Sequence, residues 1–259
     1  MSTRSDDARA RDTRAHDTRA HDTRAHGTRS HDLDALYPFL APADQVPDDG
    51  GPADQVPDHE GPVDEALLEQ VRRSTAEKAR EIVALREQLA GDLAGELAAC
   101  AEAMASRFAA GGRLYCFGNG GSSTDAQAVA TLFCSPGAGG RPLPAIALPN
   151  DVAVMTALAN DVSFEVVFAR QLAAFARPDD MAFGLSTSGG SANVLRAFAE
   201  ARGRGLLTVG LAGYDGGKMR DAGLDHLFVV PSPSVHRIQE AQTTVYDVLW
   251  ELVQVALAG

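Results

Sequence analysis

Residues 184–217 read GLSTSGGSANVLRAFAEARGRGLLTVGLAGYDGG, with a short polar loop at the start and a helical pattern after it. One apolar run, Met181–Leu185, leads into the loop, and a second, residues 206–213, follows the helical pattern. Gly203 and Gly205 end the helix between them. Strand, loop, helix and strand in this order predict a βαβ unit with parallel strands. The loop then lies at the carboxyl edge of the sheet, where open α/β sheets bind ligands.

The same alternation extends over most of the chain. Five short apolar runs predict buried strands: Arg113–Phe117, Leu143–Leu148, Met181–Leu185, Leu206–Leu211 and His226–Val230. Helical patterns separate them: Ser122–Phe133, Val152–Ala159 with Phe164–Phe175, Ala192–Arg202 and Val235–Ala258. Residues 63–112 are rich in strong helix formers and predict N-terminal helices, with a break near Gly91 and Asp92. Residues 63–259 are therefore predicted to form a three-layer α/β/α domain with a five-stranded parallel sheet.

The first 62 residues differ in composition from the rest. A period-five repeat, DTRAH, and a period-ten repeat, PADQVP, match no helix, strand or solenoid unit, so we expect a disordered low-complexity tail. Metal binding by the tail stays open as an alternative because it contains His16, His21, His26, His31 and His59. An apolar island, residues 33–42, interrupts the polar repeats, and we expect it to dock on its own domain or on a neighbouring subunit.

Charge and hydropathy exclude several classes of partner. The formal net charge of −12 over 259 residues argues against nucleic-acid binding. No apolar run reaches the ~18 residues of a membrane span, so no membrane partner is expected. No apolar segment follows the first arginines, and the three cysteines form no C-x-x-C pair. We therefore expect no secretory signal and a cytoplasmic location.

Two loops place glycines and hydroxyls at the amino end of a helix. The first, residues 118–121, reads GNGG after the first strand, and the second is the Ser186–Ser191 loop. Backbone N–H groups and the helix dipole favour an anion at such a position. We expect one of three hydroxyls to cap the first helix: Ser122, Ser123 or Thr124.

The spacing of the glycines and the absence of a lysine narrow the choice of ligand for these loops. The first loop lacks the G-x-G-x-x-G spacing of a dinucleotide site, and neither loop has the lysine of a nucleoside triphosphate P-loop. Hydroxyls of the second loop can donate hydrogen bonds to phosphate oxygens. The interpretation that remains is a compact phosphate or phosphosugar site.

Five motifs in this order resemble the sugar isomerase (SIS) domain family, phosphoheptose isomerase branch: GNGGSSTDAQ, ALAND, STSGGSANVLRA, DGGKM and RIQEAQ. The resemblance covers residues 65–257 and implies a flavodoxin-like (Rossmann-like) fold. It also implies a homodimer or homotetramer with sites at subunit interfaces and a sugar phosphate as ligand. By position, it implies these substrate-binding residues: Asn119, Gly120, Gly121, Asn160, Asp161, Ser186, Thr187, Ser188, Ser191 and Gln239.

The family's zinc site is where this sequence departs from the resemblance. Ala128 and Leu132 stand at the positions of the family's zinc-binding histidine and glutamate. Asp247 replaces a second histidine, and only Gln239 matches. Alanine and leucine cannot coordinate a metal, and the lost glutamate is also the family's proton-shuttling base. The sequence therefore predicts no metal cofactor and no zinc-dependent chemistry.

Competing functions stay open at this point. The first is a phosphosugar-binding protein without the family's zinc isomerase activity, acting as a regulator or as a partner of another enzyme. The second is an aldose–ketose isomerase whose acid/base is Glu240, Asp247 or His236, all in the segment of the last helix. A third is an assembly protein whose tail recruits a partner. Asp125 is predicted to lie in the first turn of the helix after GNGG, where its negative charge would interact favourably with the helix dipole.

Overall fold

The computed structural model describes residues 64–137 and 139–259. The disordered tail and the docking island at residues 33–42 lie outside the described residues. The domain boundary between residues 62 and 63 also stays a prediction.

Five parallel strands form the central sheet, in the order β2-β1-β3-β4-β5. The strands are β1 Leu114–Gly118, β2 Ala145–Ala147, β3 Met181–Ser186, β4 Leu207–Gly213 and β5 His226–Val230. Every residue of β1, β3 and β4 is buried, which their apolar composition requires because both faces of the sheet are covered. This confirms the predicted five-stranded parallel sheet, and the strand order is the flavodoxin-like one.

Helices cover both faces of the sheet. They are α1 Glu65–Ala109, α2 Gly121–Cys134, α3 Val152–Asp161, α4 Val167–Phe175, α5 Ala192–Gly203 and α6 Val235–Ala258. On one face, α1, α2 and α6 pack over a core that includes Cys116 and Phe183, whereas α4 and α5 pack over the other face, which includes Tyr115 and Phe117. Alternate residues of β1 thus enter opposite cores, as the period of a strand dictates. No helix within the described residues is long and apolar enough to cross a membrane.

The predicted break near Gly91 and Asp92 is wrong, because α1 is one helix of 45 residues. A glycine inside a helix costs only about 1 kcal/mol relative to alanine. Leu89 and Leu97 are buried on either side of Gly91 and hold both halves of the helix on the same core. Packing of the flanking turns therefore outweighs the poor helix propensity of this glycine.

Candidate functional site

The carboxyl ends of β1 and β3 bring the two predicted loops together. Gly118, at the end of β1, lies beside Leu185 of β3 in the sheet register, so the GNGG loop and the Ser186–Ser191 loop begin at the same level. The direction of the chain order reverses between these two strands, which is the topological switch point of such sheets. The fold therefore puts both loops where an α/β sheet of this type binds its ligand.

A pair of asparagines joins the two loops. The side-chain amide of Asn119 donates to Oδ1 of Asn193 at 2.8 Å, and the amide of Asn193 donates back to Oδ1 of Asn119 at 2.8 Å. Asn193 lies in the first turn of α5 and is buried. Sequence reasoning missed this residue, although an asparagine within the STSGGSANV motif was visible.

The Ser186–Ser191 loop curls around its own hydroxyl groups. The Oγ atoms of Ser186 and Ser191 lie 3.0 Å apart, and Oγ of Ser188 accepts the N–H of Gly190 at 3.2 Å. Gly189 has a φ of 62°, and a Cβ there would lie 2.0 Å from the carbonyl oxygen of Gly216. Only glycine fits this close approach, so the loop is held in a narrow turn.

The amino end of α5 opens onto this turn. Ser191 is the N-cap residue of α5, but its side chain makes no capping hydrogen bond, since its hydroxyl lies against Ser186 instead. The N–H of Val194 donates to Oδ1 of Asn193 at 2.9 Å, but no side chain of the described residues accepts from the N–H groups of Ala192 and Asn193, and the helix dipole adds a partial positive charge. This arrangement is suited to an anion such as phosphate.

The cap of α2 differs from the prediction. Gly120 is the N-cap residue, with a φ of 55°, and no side chain caps the helix. The predicted cap by Ser122, Ser123 or Thr124 is wrong, because α2 already begins at Gly121 and these hydroxyls lie inside its first turn. The turn needs a positive φ at its N-cap, which glycine adopts without strain.

A third loop, after β4, forms backbone hydrogen bonds with the Ser186–Ser191 loop. The N–H of Gly213 donates to the carbonyl of Thr187 at 2.9 Å, and the N–H of Met219 donates to the carbonyl of Gly189 at 2.9 Å. Tyr214 follows Gly213 and has a φ of 54°. The DGGKM motif follows directly, but nothing in the sequence singled out Tyr214.

The last helix reaches the first loop through Gln239. Its Nε2 donates to Oδ2 of Asp125 at 3.3 Å, and a Cβ on Gly121 would lie 2.2 Å from the same nitrogen. Burial raises the pKa of the Asp125 carboxyl, and the hydrogen bond from Gln239 opposes that rise. Gln239 therefore lies beside the GNGG loop, with Asp125 as its partner, and its role in substrate binding stays a prediction.

Asn160 and Asp161 lie apart from the loops within this chain. They form the last turn of α3 and are exposed, and Nδ2 of Asn160 donates to Oδ1 of Asp161 at 2.8 Å. Their side chains bond to each other and not to either loop. Their predicted role in substrate binding stays a prediction.

The three proposed acid/base residues lie on exposed parts of α6. Glu240 forms an ion pair with Arg237, and His236 is exposed in the first turn. Asp247 lies on the outer face of the helix, where partial burial and the neighbouring Glu251 raise its pKa and Arg86 opposes the rise. None of the three candidates forms a hydrogen bond with either loop, and their catalytic roles stay predictions.

The residues present do not fit the zinc site that the resemblance implies. Ala128 is exposed on α2, Leu132 packs against the core, and neither has a donor atom. The amide nitrogen of Gln239 already donates to Asp125. Over residues 64–137 and 139–259, no group of three or more His, Cys, Asp or Glu side chains could hold a metal ion.

A groove of the described domain lies away from these loops. It has a volume of about 580 Å³ and runs along the edge strand β2, lined by residues such as Gln127, Ile146 and Phe175. Neither loop contributes to its lining.

Comparison with known proteins assigns this fold to a family. The family model for the SIS domain matches residues 79–213. The chain belongs to the SIS domain family. It is 46% identical over 159 residues to the phosphoheptose isomerase of Roseiflexus sp. (strain RS-1), covering 61% of this chain and 80% of that protein. It is 40% identical over 192 residues to the phosphoheptose isomerase of Aquifex aeolicus (strain VF5), covering 73% and 96%.

Solved structures agree with these relatives. Phosphoheptose isomerase GmhA from Neisseria gonorrhoeae superposes with a TM-score of 0.67 at 32% identity, covering 71% of this chain and 99% of that chain. A phosphoheptose isomerase from Francisella tularensis also gives a TM-score of 0.67, at 31% identity, covering 73% and 98%. The SIS protein described here therefore shares its fold with phosphoheptose isomerases over nearly their whole length.

Proposed function

We propose that this SIS protein binds a sugar phosphate, with the phosphate group on the Ser186–Ser191 loop. The observation that carries the proposal is the pair of hydroxyls of Ser186 and Ser191, 3.0 Å apart, at the amino end of α5, where the N-cap side chain makes no capping hydrogen bond. Hydroxyl and backbone N–H donors there match the acceptor oxygens of a phosphate. Because the relatives are phosphoheptose isomerases, the sugar we propose is a seven-carbon sugar phosphate such as sedoheptulose 7-phosphate.

The other side of the sugar would contact the first loop. Asn119 is held by Asn193, and Gln239 is held by Asp125, so both amides are pre-positioned beside the GNGG loop. Amides that are already fixed lose little conformational entropy when they bind sugar hydroxyls. Asn160 and Asp161 are exposed at the end of α3, which is compatible with a site shared between copies of the chain.

The proposed function excludes the zinc chemistry of the family. The acid/base of an aldose–ketose isomerase must reach the proton that moves between adjacent carbons. In this chain the family position of that base is Leu132, which has no titratable group. We therefore propose a binding role, as a regulator or as a partner of another enzyme, with no metal cofactor.

The raised pKa of Asp247 favours one alternative, an isomerase with a substitute base. A coupled assay with saturating sedoheptulose 7-phosphate separates the two functions, and we expect no turnover above about 1 per second. Faster turnover that Asp247→Asn or Glu240→Gln abolishes would establish the alternative and overturn the binding-only proposal. His236→Gln completes the set of variants.

Calorimetry tests the binding proposal itself. Replacing Ser186 and Ser188 together by alanine removes two donors, and we expect affinity for sedoheptulose 7-phosphate to fall more than tenfold, about 1.4 kcal/mol. The control is Ser135→Ala, an exposed hydroxyl at the carboxyl end of α2. Equal affinity of the double variant and the control would place the phosphate elsewhere.

A further inference from the structure

Tyr214 has an unusual backbone conformation. With a φ of 54°, it is the only residue other than glycine with a positive φ in the part of the chain that the structure describes. A bulky side chain is unfavourable in this region because its Cβ crowds the neighbouring carbonyl oxygen. Residues held in this way persist only where the surrounding fold determines them, and they concentrate at binding sites.

Backbone contacts join the turn that carries Tyr214 to the Ser186–Ser191 loop. Before Tyr214, the N–H of Gly213 donates to the carbonyl of Thr187 at 2.9 Å. After it, the N–H of Gly216 donates back to the carbonyl of Gly213 at 2.8 Å, which closes the turn. The carbonyl of Gly216 lies so close to Gly189 that a Cβ there would be 2.0 Å away. Both ends of the turn therefore contact the Ser186–Ser191 loop.

The side chain of Tyr214 is also exposed for an aromatic residue. It is 40% exposed, less than Phe164 and Phe175 at 53% and 60% but far more than Tyr115 and Tyr246 at 1% and 5%. A tyrosine presents an apolar ring with a polar hydroxyl at its tip, and ligand sites use aromatic side chains of this kind for their apolar walls. Packing within the free protein explains neither the strained backbone of Tyr214 nor the exposure of its ring.

We propose that Tyr214 is a specificity-determining residue whose ring packs against the carbon chain of the bound sugar phosphate. This inference rests on the proposed function, because the phosphate on the Ser186–Ser191 loop fixes where the sugar begins. The hydrogen bond from the N–H of Gly213 to the carbonyl of Thr187 holds the backbone next to Tyr214 beside that loop. The ring then favours a sugar phosphate over inorganic phosphate, which has no carbon chain to contact it.

Variants at position 214 separate strain from binding. Tyr214→Gly relieves the positive φ and removes the ring, and Tyr214→Asn does the same with a residue that also tolerates this φ. We expect both to raise the midpoint of thermal unfolding, by about 2–4 °C for the glycine variant. We expect both to weaken sedoheptulose 7-phosphate binding by about 3- to 10-fold, the size of a lost aromatic contact. Tyr214→Phe keeps the ring, so its affinity should stay closer to that of the wild type.

Inorganic phosphate is the matched probe in the same calorimetric titrations of the full chain. Its affinity should be the same in the wild type and in Tyr214→Gly, because it contacts only the loop. If the glycine and asparagine variants bind sedoheptulose 7-phosphate as tightly as the wild type, the inference is wrong and the proposed function stands. If the variants lose affinity for both probes equally, the inference is also wrong, because the ring would then act through the loop and not through the sugar. A wild type that binds neither probe contradicts the proposed function and this inference together.

Discussion

Gln242 is a polar residue inside the apolar core beneath α6. It is fully buried, and neither its amide nitrogen nor its amide oxygen has a hydrogen-bond partner among the described residues. A buried polar group without a partner costs about 1–3 kcal/mol of desolvation. Gln254, on the same helix, has the same side chain but pairs with both the N–H and the carbonyl of Arg141.

Replacing Gln242 by methionine should therefore stabilise the protein. Methionine has nearly the same shape and no amide to desolvate, so we expect the free energy of unfolding to rise by about 1–3 kcal/mol. The matched control, Gln254→Met, breaks two hydrogen bonds and should lower it. Urea denaturation of the two variants measures both changes. A loss of stability in Gln242→Met would mean that its amide has partners in solution.

Single residues of the site differ in how well the sequence predicts them. Ser186 and Ser191 are predicted from a local pattern, because a loop of hydroxyls and glycines between a strand and a helix commonly binds an anion. Asn193 and Tyr214 do not. The importance of Asn193 depends on its contact with a residue 74 positions away, and that of Tyr214 on a backbone angle. Neither property is encoded in the residues adjacent in sequence.

At the scale of elements, Gly91 tests why α1 is continuous. It is exposed in the middle of the helix, and a Cβ there would meet no atom within 4 Å. Gly112, just after the helix, is the opposite case, since a Cβ there would lie 2.1 Å from the carbonyl oxygen of Asp179. One glycine is thus replaceable, and the other is required by a close backbone contact.

Gly91→Ala should raise the midpoint of thermal unfolding by about 2–4 °C, which corresponds to about 1 kcal/mol in helix propensity. Gly112→Ala is the matched control and should lower the midpoint. Differential scanning calorimetry of both variants gives the comparison. A decrease for Gly91→Ala would indicate that this glycine marks a real distortion of α1.

Elements with strong periodicity were predicted closely, and weak ones were not. The bounds of β5 and α6 agree with the sequence prediction, because long apolar patterns with clear ends determine them. The strand predicted over Leu143–Leu148 is shorter, with only Ala145–Ala147 paired and a 3-10 turn over Leu148–Asn150. Proline at position 149 favours that turn, and an edge strand has one neighbour to extend it.

At the scale of the whole molecule, the first turns of α1 carry exposed apolar residues. Leu67, Leu68 and Val71 are 51%, 38% and 54% exposed and lie along one side of the helix. Apolar side chains grouped in this way commonly mark a contact with another protein surface. The homodimer or homotetramer that the family resemblance implies stays a prediction, and these three residues are a candidate contact that tests it.

Val71→Asp should lower the molar mass of the protein in solution. A charge at an apolar contact between copies is unfavourable, whereas the same change on an exposed helix of a monomer has little effect on stability. Light scattering after size-exclusion chromatography measures the mass, and Val255→Asp, a site on α6 that is 70% exposed, is the control. A wild-type mass of one chain would contradict the oligomer.

We propose that this SIS protein holds a sugar phosphate on the Ser186–Ser191 loop without a metal. The most direct measurement is a calorimetric titration of sedoheptulose 7-phosphate into the full chain, before and after dialysis against EDTA. We predict saturable binding with the same affinity in both samples, because the loop, Asn119 and Gln239 supply the contacts. Binding that disappears after EDTA treatment and returns with one zinc per chain would contradict the claim.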